Sequence, residues 1–380
     1  MMNESFTPDE EACLLAILRS ERHLVAAFLA ALAGVALEHH LLEAGRAASL
    51  MGAALMVAAI VLASMRVAHH AEVLAAKVGD PYGTMILTLS AVLVEVIILA
   101  IMMTGETSPT LVRDTIYSAV MLDVNGILGL AALLGGLKHG EQPYNDDSAR
   151  TYSVMILTAM GISMLVPEFV PQSKWHYYSA FTIGAMIVLY TLFLRMQVGV
   201  HSYFFSYSYP RAKAGSAASR LEGEPVLPSV VVLVLGVIVI GFLAEIMSGL
   251  LSAGIKGTAA PPALAAIVVA AISASPEVMT APEVMTALRA ALANRMQAVV
   301  NIALGASLST VILTVPVMEA IALYTGQPFI MAMSPVQTVM VAVTLIAAAI
   351  NLNDGQTNAI EGMTHFVLFA TFIMLSALGL

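Results

Sequence analysis

Eleven apolar stretches, at 24–40, 47–66, 83–104, 111–137, 151–170, 177–196, 227–250, 262–288, 297–323, 334–351 and 357–379, are each long enough to cross a bilayer, and nothing else limits the fold so severely. Inside hydrocarbon every backbone N–H and C=O must find a partner within the protein, so runs of this length become helices. The expected fold class is therefore an all-α membrane protein of about eleven transmembrane helices. Composition agrees: 59% of the 380 residues are hydrophobic and 11% are charged, against about 25% charged in soluble domains. The first stretch is the weakest, because its apolar core from Leu24 to Leu37 is short and ends in Glu38, His39 and His40, which suits an interfacial helix as well as a span. The acidic start, MMNESFTPDEE, predicts no cleaved signal peptide.

Lysine and arginine collect in cytoplasmic loops, which gives an independent check on the spans. With the N-terminus inside, Arg19, Arg22, Arg66, Lys77, Lys138, Arg150, Arg195, Arg211, Lys213, Arg220, Arg289 and Arg295 fall on inner segments, and Arg46, Arg113, Lys174 and Lys256 on outer ones. Twelve against four predicts a cytoplasmic N-terminus, an external C-terminus and an odd number of spans. The hydrophilic connection 197–226 is a cytoplasmic linker by composition. Setting aside an N-terminal segment and extra helix (1–46) leaves five spans on each side of the linker, 47–196 and 227–380. An odd repeat length forces the second set through the membrane upside down, which is the inverted-repeat plan of many secondary transporters.

An ionised side chain at mid-bilayer costs about 2.5 to 3.5 kcal/mol on insertion scales, so one that is retained there is a functional candidate. Glu95 is the clearest, in the middle of a span where Thr84, Thr88, Ala91 and Glu95 follow one helical face. A second candidate region is SPEVMTAPEVMTALRAALANRMQAVVNIALGASLSTVILTVP. There Pro276 and Pro282 break or kink the eighth span beside Glu277 and Glu283, freeing backbone carbonyls. Carboxylates and freed carbonyls are the hard oxygen ligands that calcium favours. In the next span Asn301, Gly305 and Ser309 recur every four residues, a narrow polar face near Ser307. Asp123 with Asn125, and Glu245, are further candidates whose structural and functional readings weigh evenly. Glu106, Glu168 and Glu319 stand at span ends, where solvation is the ordinary expectation.

At these motifs the chain resembles the bacterial ChaA-type calcium/proton antiporters of the cation/calcium exchanger superfamily. The similarity lies in HAEVLAAKVGDPYGTMILTLSAVLVEV with TSPTLVRDTIYS, in the SPEVMTAPEVMTA region, and in DGQTNAIEGMTHFVLFA. It implies two alpha motifs, about 83–137 and 262–323, each giving one glutamate to a central site that holds a cation or protons alternately. Glu95 matches the first glutamate and Glu283 the second, as calcium ligands when ionised. The chain departs from the family where PEVMTA occurs twice in tandem, from Pro276 and from Pro282, leaving Glu277 as the rival of Glu283. Asp123 falls about where the superfamily places an amide, and the acidic central-loop tract of some relatives is missing.

The expected activity is exchange of cytoplasmic calcium for external protons across a bacterial inner membrane, with calcium and protons as substrates, the lipid bilayer as surroundings, and no cofactor or nucleic-acid partner. A sodium or potassium/proton antiporter on the same scaffold is the alternative. An enzyme or haem carrier lacks equipment: the sequence has one cysteine, Cys13, and no H-E-x-x-H pair or Gly-rich phosphate loop. The adjacent pairs His39/His40 and His69/His70 point about 100° apart on a helix and share no ligand face. His365 is expected to hydrogen-bond between helices.

Overall fold

The computed structural model describes residues 21–79, 82–104, 109–198, 203, 226–255, 283–327 and 329–380. Its elements are α1 (Arg22–Glu43), α2 (Arg46–Val78), α3 (Tyr82–Thr104), α4 (Leu111–His139), β1 (Gln142–Pro143), α5 (Asp146–Phe169), α6 (Trp175–Val198), α7 (Val226–Ile255), α8 (Glu283–Leu292), α9 (Met296–Thr325), α10 (Pro335–Asn351), β2 (Gln356–Thr357) and α11 (Ala359–Ala377). Among the described residues, nine helices are long and apolar enough to span a membrane. The chain is a multi-pass membrane protein. Ten of the eleven expected spans coincide with helices; the eighth, 262–288, lies outside the described residues except where α8 opens at Glu283.

One helix, α2, is longer than expected, while α10 is short, as its expected bounds 334–351 already made it. α2 continues to Val78, well past the predicted end at 66, because the sequence after Arg66 stays free of Gly and Pro until Gly79. Its 33 residues rise about 50 Å, more than the roughly 30 Å of hydrocarbon. His69, His70 and Lys77 all lie in the extension past residue 66. At that end Arg66 donates through Nε to Glu21 Oε2 (2.8 Å), and His70 Nε2 lies 3.2 Å from Glu21 Oε1. Burial is the largest single influence on Glu21 and would raise its carboxyl, but the bonds and charges of Arg66 and His70 together outweigh it and hold it below the ordinary value. α10 has only 17 residues, since the chain from Phe329 to Ser334 has no helical turns. Non-helical backbone at membrane depth needs partners, and here it has them. Ile330 N–H bonds Pro109 O (3.0 Å), Met333 N–H bonds Met164 O (3.1 Å), and Arg113 Nη1 donates to Ala332 O (2.6 Å). Ser334 and Gln337 then cap α10 reciprocally, with Pro335 in its first turn.

Contacts between connections fall into two groups that follow the alternation of sides. β1 pairs with β2 antiparallel, Gln142 Nε2 donates to Ala291 O (2.7 Å) and Lys138 Nζ to Leu292 O (2.9 Å), all at the end the charge count makes inner. Pro109, Met164, Ile330 and Met333 meet at the other end.

α4 and α9 form the centre: most of the apolar middle of each is buried, whereas that of α6 is mostly not. Around them α7 packs along α2, α1 covers both, and α11 lies on the second half of α4. Lipid association lacks a hydrophobic drive and relies on close backbone approach at small residues. Gly362 of α11 sits so close to the backbone of Ala132 and Leu133 that no side chain fits there. Outward faces are apolar, as with Phe28, Leu32 and Val35 on α1 and Val231, Leu235 and Ile238 on α7, which suits lipid.

Candidate functional site

The central helices are wound unusually where the candidates sit. Met121–Ile127 of α4 and Thr310–Thr314 of α9 are π-helical, as is Gly161–Leu165 of α5. Such wider turns insert a residue into the ladder and gather at functional sites. Here they bring side chains of α3, α4 and α9 together.

Glu95, on α3, is 4% exposed. Its Oε2 accepts hydrogen bonds from Thr314 Oγ1 at 2.8 Å and Thr310 Oγ1 at 3.2 Å, both from the π-helical turn of α9. Asp123, in the π-helical turn of α4, is 2% exposed. Its Oδ2 accepts from Ser307 Oγ of α9 at 3.1 Å, its Oδ1 has no hydrogen-bond partner among the described residues, and it lies within electrostatic reach of Glu95. One face of α9, Ser307, Thr310 and Thr314, thus serves two carboxylates on two other helices. Among the described residues neither carboxylate meets a Lys or Arg.

Hydroxyl partners have a particular consequence. A Ser or Thr hydroxyl both donates and accepts, so it can support a bare carboxylate, a protonated one, or turn a lone pair toward a bound cation. An ammonium or guanidinium could serve only the bare form.

The other sequence candidates are placed differently. Asn125 shares the π-helical turn with Asp123, but its bonds run outward from the pair: Nδ2 donates to Thr344 Oγ1 (2.8 Å) and Oδ1 lies 2.9 Å from His365 Nδ1. His365 thereby joins α11 to α4, as expected for a helix-bridging imidazole. Asn301 accepts from Gln297 Nε2 (2.8 Å), and Gln297 also donates to Ser148 Oγ of α5 (3.0 Å), forming a polar patch nearer the start of α9. Ser309 donates to Ala306 O in its own helix (2.9 Å). Thr88 is half-buried, seven residues before Glu95 on α3. Glu245 is exposed on α7 and does not join the cluster, since α7 turns its buried face to α2.

Glu277 lies outside the described residues, and so does the side chain of Glu283; the backbone of Glu283 opens α8, which packs against α4 and α9. The expectation for Glu319 is corrected. It is 2% exposed, not solvated at a span end, because the non-helical run from Phe329 and the start of α6 close over it. Glu168 is exposed as expected. Thr310 and Thr314 were not among the sequence candidates; the 3- and 4-residue steps from Ser307 to Thr310 and Thr314 were the available signal. Among the described residues no three His, Cys, Asp or Glu side chains form a ready metal cluster.

Residues 48–199 and 228–378 match the family described as Sodium/calcium exchanger protein. A relative from Escherichia coli (strain K12), named Sodium-potassium/proton antiporter ChaA, is 31% identical over 325 residues, covering 83% of this chain and 86% of its own. A Ca(2+)/H(+) antiporter from Aphanothece halophytica is 26% identical over 277 residues, 70% of this chain and 73% of its own. The solved structure of native YfkE superposes with a TM-score of 0.67 at 18% identity, covering 93% of this chain and 99% of its own. At that identity the likeness is one of fold.

Proposed function

The chain belongs to the sodium/calcium exchanger protein family, and from that premise we propose that it exchanges cytoplasmic calcium for external protons by alternating access at the Glu95–Asp123 site. Members of this family are transporters rather than enzymes. The observation that carries the finer reading is a pair of buried carboxylates that, among the described residues, are held by hydroxyls and meet no cationic partner. Two unpaired carboxylates at membrane depth are tolerable when a metal ion or protons neutralise them. The two ligands then compete for the same oxygens, so release of one is coupled to capture of the other.

Glu283 is the third oxygen ligand in this reading. Ala291 of α8 lies against Gly135 of α4, and both helices run toward the inner end. Glu283 precedes Ala291 by eight residues and Ile127, which ends the π-helical turn that carries Asp123, precedes Gly135 by eight, a correspondence that supports Glu283 in this role. A site with Glu95, Asp123 and Glu283 has formal charge enough for a divalent ion. The two π-helical turns, in the third helix of each five-helix set, support inverted repeats at 47–196 and 227–380. The orientation, with a cytoplasmic N-terminus in a bacterial inner membrane, rests on the distribution of Lys and Arg.

A second reading, sodium or potassium/proton antiport on the same scaffold, is favoured by the name of the Escherichia coli relative. Everted vesicles carrying a pH-sensitive dye separate the two: dequenching on calcium addition that exceeds the response to sodium or potassium is expected. Glu95→Gln should abolish it, and a Glu95→Gln protein that exchanges at the wild-type rate would sink the assignment.

A further inference from the structure

At the end of the bundle assigned to the outside, α6, the close of α5, the α3–α4 turn and the run from Phe329 to Ala332 enclose a cavity of about 370 Å³. Its walls include Pro109, Pro167, Trp175 and Phe329, and its polar groups are Glu319, Ser179, Tyr178, His176, Gln172 and Gln327. Glu319 is 2% exposed; Ser179 of α6 stands beside it on the cavity wall, and its Oε2 has no hydrogen-bond partner among the described residues. The Tyr178 hydroxyl is committed to Ile162 O (2.8 Å), and His176 is exposed at the cavity wall. Those two are the other titratable groups facing the cavity, both from α6; no Lys or Arg lines it from any described element.

This place is separate from the Glu95–Asp123 site. Glu319 follows Thr314 by five residues, about 7.5 Å along α9 and about 140° around it. Thr314 therefore faces Glu95 on α3, while Glu319 faces Ser179 on α6. A single carboxylate supplies one charge against the two of calcium, whereas it matches the one charge of a proton.

We propose that this cavity is a second proton-binding site, with Glu319 as the group that takes a proton from water at the outer face and Ser179 as its partner, through which external pH acts on exchange. Loading breaks one O–H bond of a hydronium ion in the cavity and forms one on the Glu319 carboxyl; unloading reverses this, and no other bond changes. A bare carboxylate can accept from the neighbouring Ser179 hydroxyl and the acid can donate outward to cavity water, so the state of Glu319 alters the contact between α6 and α9. The inference rests on the proton-coupled reading above.

The test reconstitutes the full chain in proteoliposomes with Glu319→Gln and follows two activities. Calcium-driven proton flux is measured over a neutral range of external pH, and calcium–calcium isotope exchange, which needs no net proton movement, is measured beside it. The variant is expected to lose most of the external-pH dependence while keeping calcium–calcium exchange and its apparent calcium affinity. A wild-type pH profile in Glu319→Gln overturns the proposal, as does equal loss of both activities. Calcium titration showing one bound ion fewer in the variant overturns the proton assignment. Should Glu319→Gln fail to fold, Ser179→Ala must move the external-pH profile, and an unmoved profile there overturns the proposal. Wild-type protein with no ion-driven proton flux defeats the transport reading itself, a result distinct from every outcome in the variants.

Discussion

Thr314→Val isolates what a single hydroxyl does at the ion site. Valine keeps the shape and β-branching of threonine, so the π-helical turn and its packing are retained while the 2.8 Å bond to Glu95 Oε2 is lost. A hydrogen bond to a charged group is worth about 1.5 to 3 kcal/mol. Thr310 still reaches the same oxygen at 3.2 Å, which places the loss near the lower end. About 1.5 kcal/mol taken from the ion-binding form of Glu95 corresponds to a roughly tenfold weaker apparent calcium affinity. The assay is the initial rate of calcium-dependent dye dequenching in everted vesicles, measured as a function of calcium and normalised to protein in the membrane. Thr314→Ser, which restores the hydroxyl, should return to within a few-fold of wild type. Wild-type affinity in Thr314→Val, or equal impairment in both variants, refutes the reasoning, because the first makes the hydroxyl irrelevant and the second makes the effect one of packing.

Three further outcomes are expected. Asp123→Asn keeps the shape that accepts from Ser307 but removes a charge, so the preference for calcium over sodium should fall at least tenfold in the vesicle assay, about 1.4 kcal/mol; an unchanged preference removes Asp123 from the ion site. Gly362→Leu must push α11 away from the backbone of Ala132 and Leu133, at a cost of about 3 kcal/mol, read as a lower melting temperature in detergent than that of Glu245→Gln, whose exposed position should leave stability unchanged. Glu21 has a folded pKa held below its unfolded value, so its bond to Arg66 stabilises the protein above the unfolded value and is lost as pH falls through the folded one. The stability difference between wild type and Glu21→Gln, about 1 kcal/mol at neutral pH for a two-point ion pair and read as a shift in melting temperature, should therefore vanish in acid; a difference that persists there contradicts the sign.

The spans were legible because the bilayer imposes one rule on every residue they contain. Glu95 and Asp123 followed from the same rule, since a carboxylate in hydrocarbon is conspicuous wherever its neighbours lie. What did not follow was the face of α9 that meets them. Asn301, Gly305 and Ser309 repeat every four residues, and a step of four turns 400°, so that stripe drifts 40° at each step. Ser307, Thr310 and Thr314 alternate steps of three and four, which on a regular α-helix return to within about 20° of where they began. The second pattern holds a constant face over two turns, and it is the one that bonds to both carboxylates.

Glu319 shows a different limit. Along the chain it stands six residues before Thr325, where α9 ends, and helix ends are ordinarily wet. Its burial comes from a segment ten or more residues later, Phe329–Ala332, held by Pro109 from a distant turn and by Arg113. No periodicity within α9 can report that. The same non-helical segment leaves α10 short, so a short span late in the chain and a buried acid at the end of the preceding one have a single cause. Backbone that departs from the helix at membrane depth has to be enclosed by protein or line a cavity, and here it does both: it covers the carboxylate and walls the space into which that carboxylate faces.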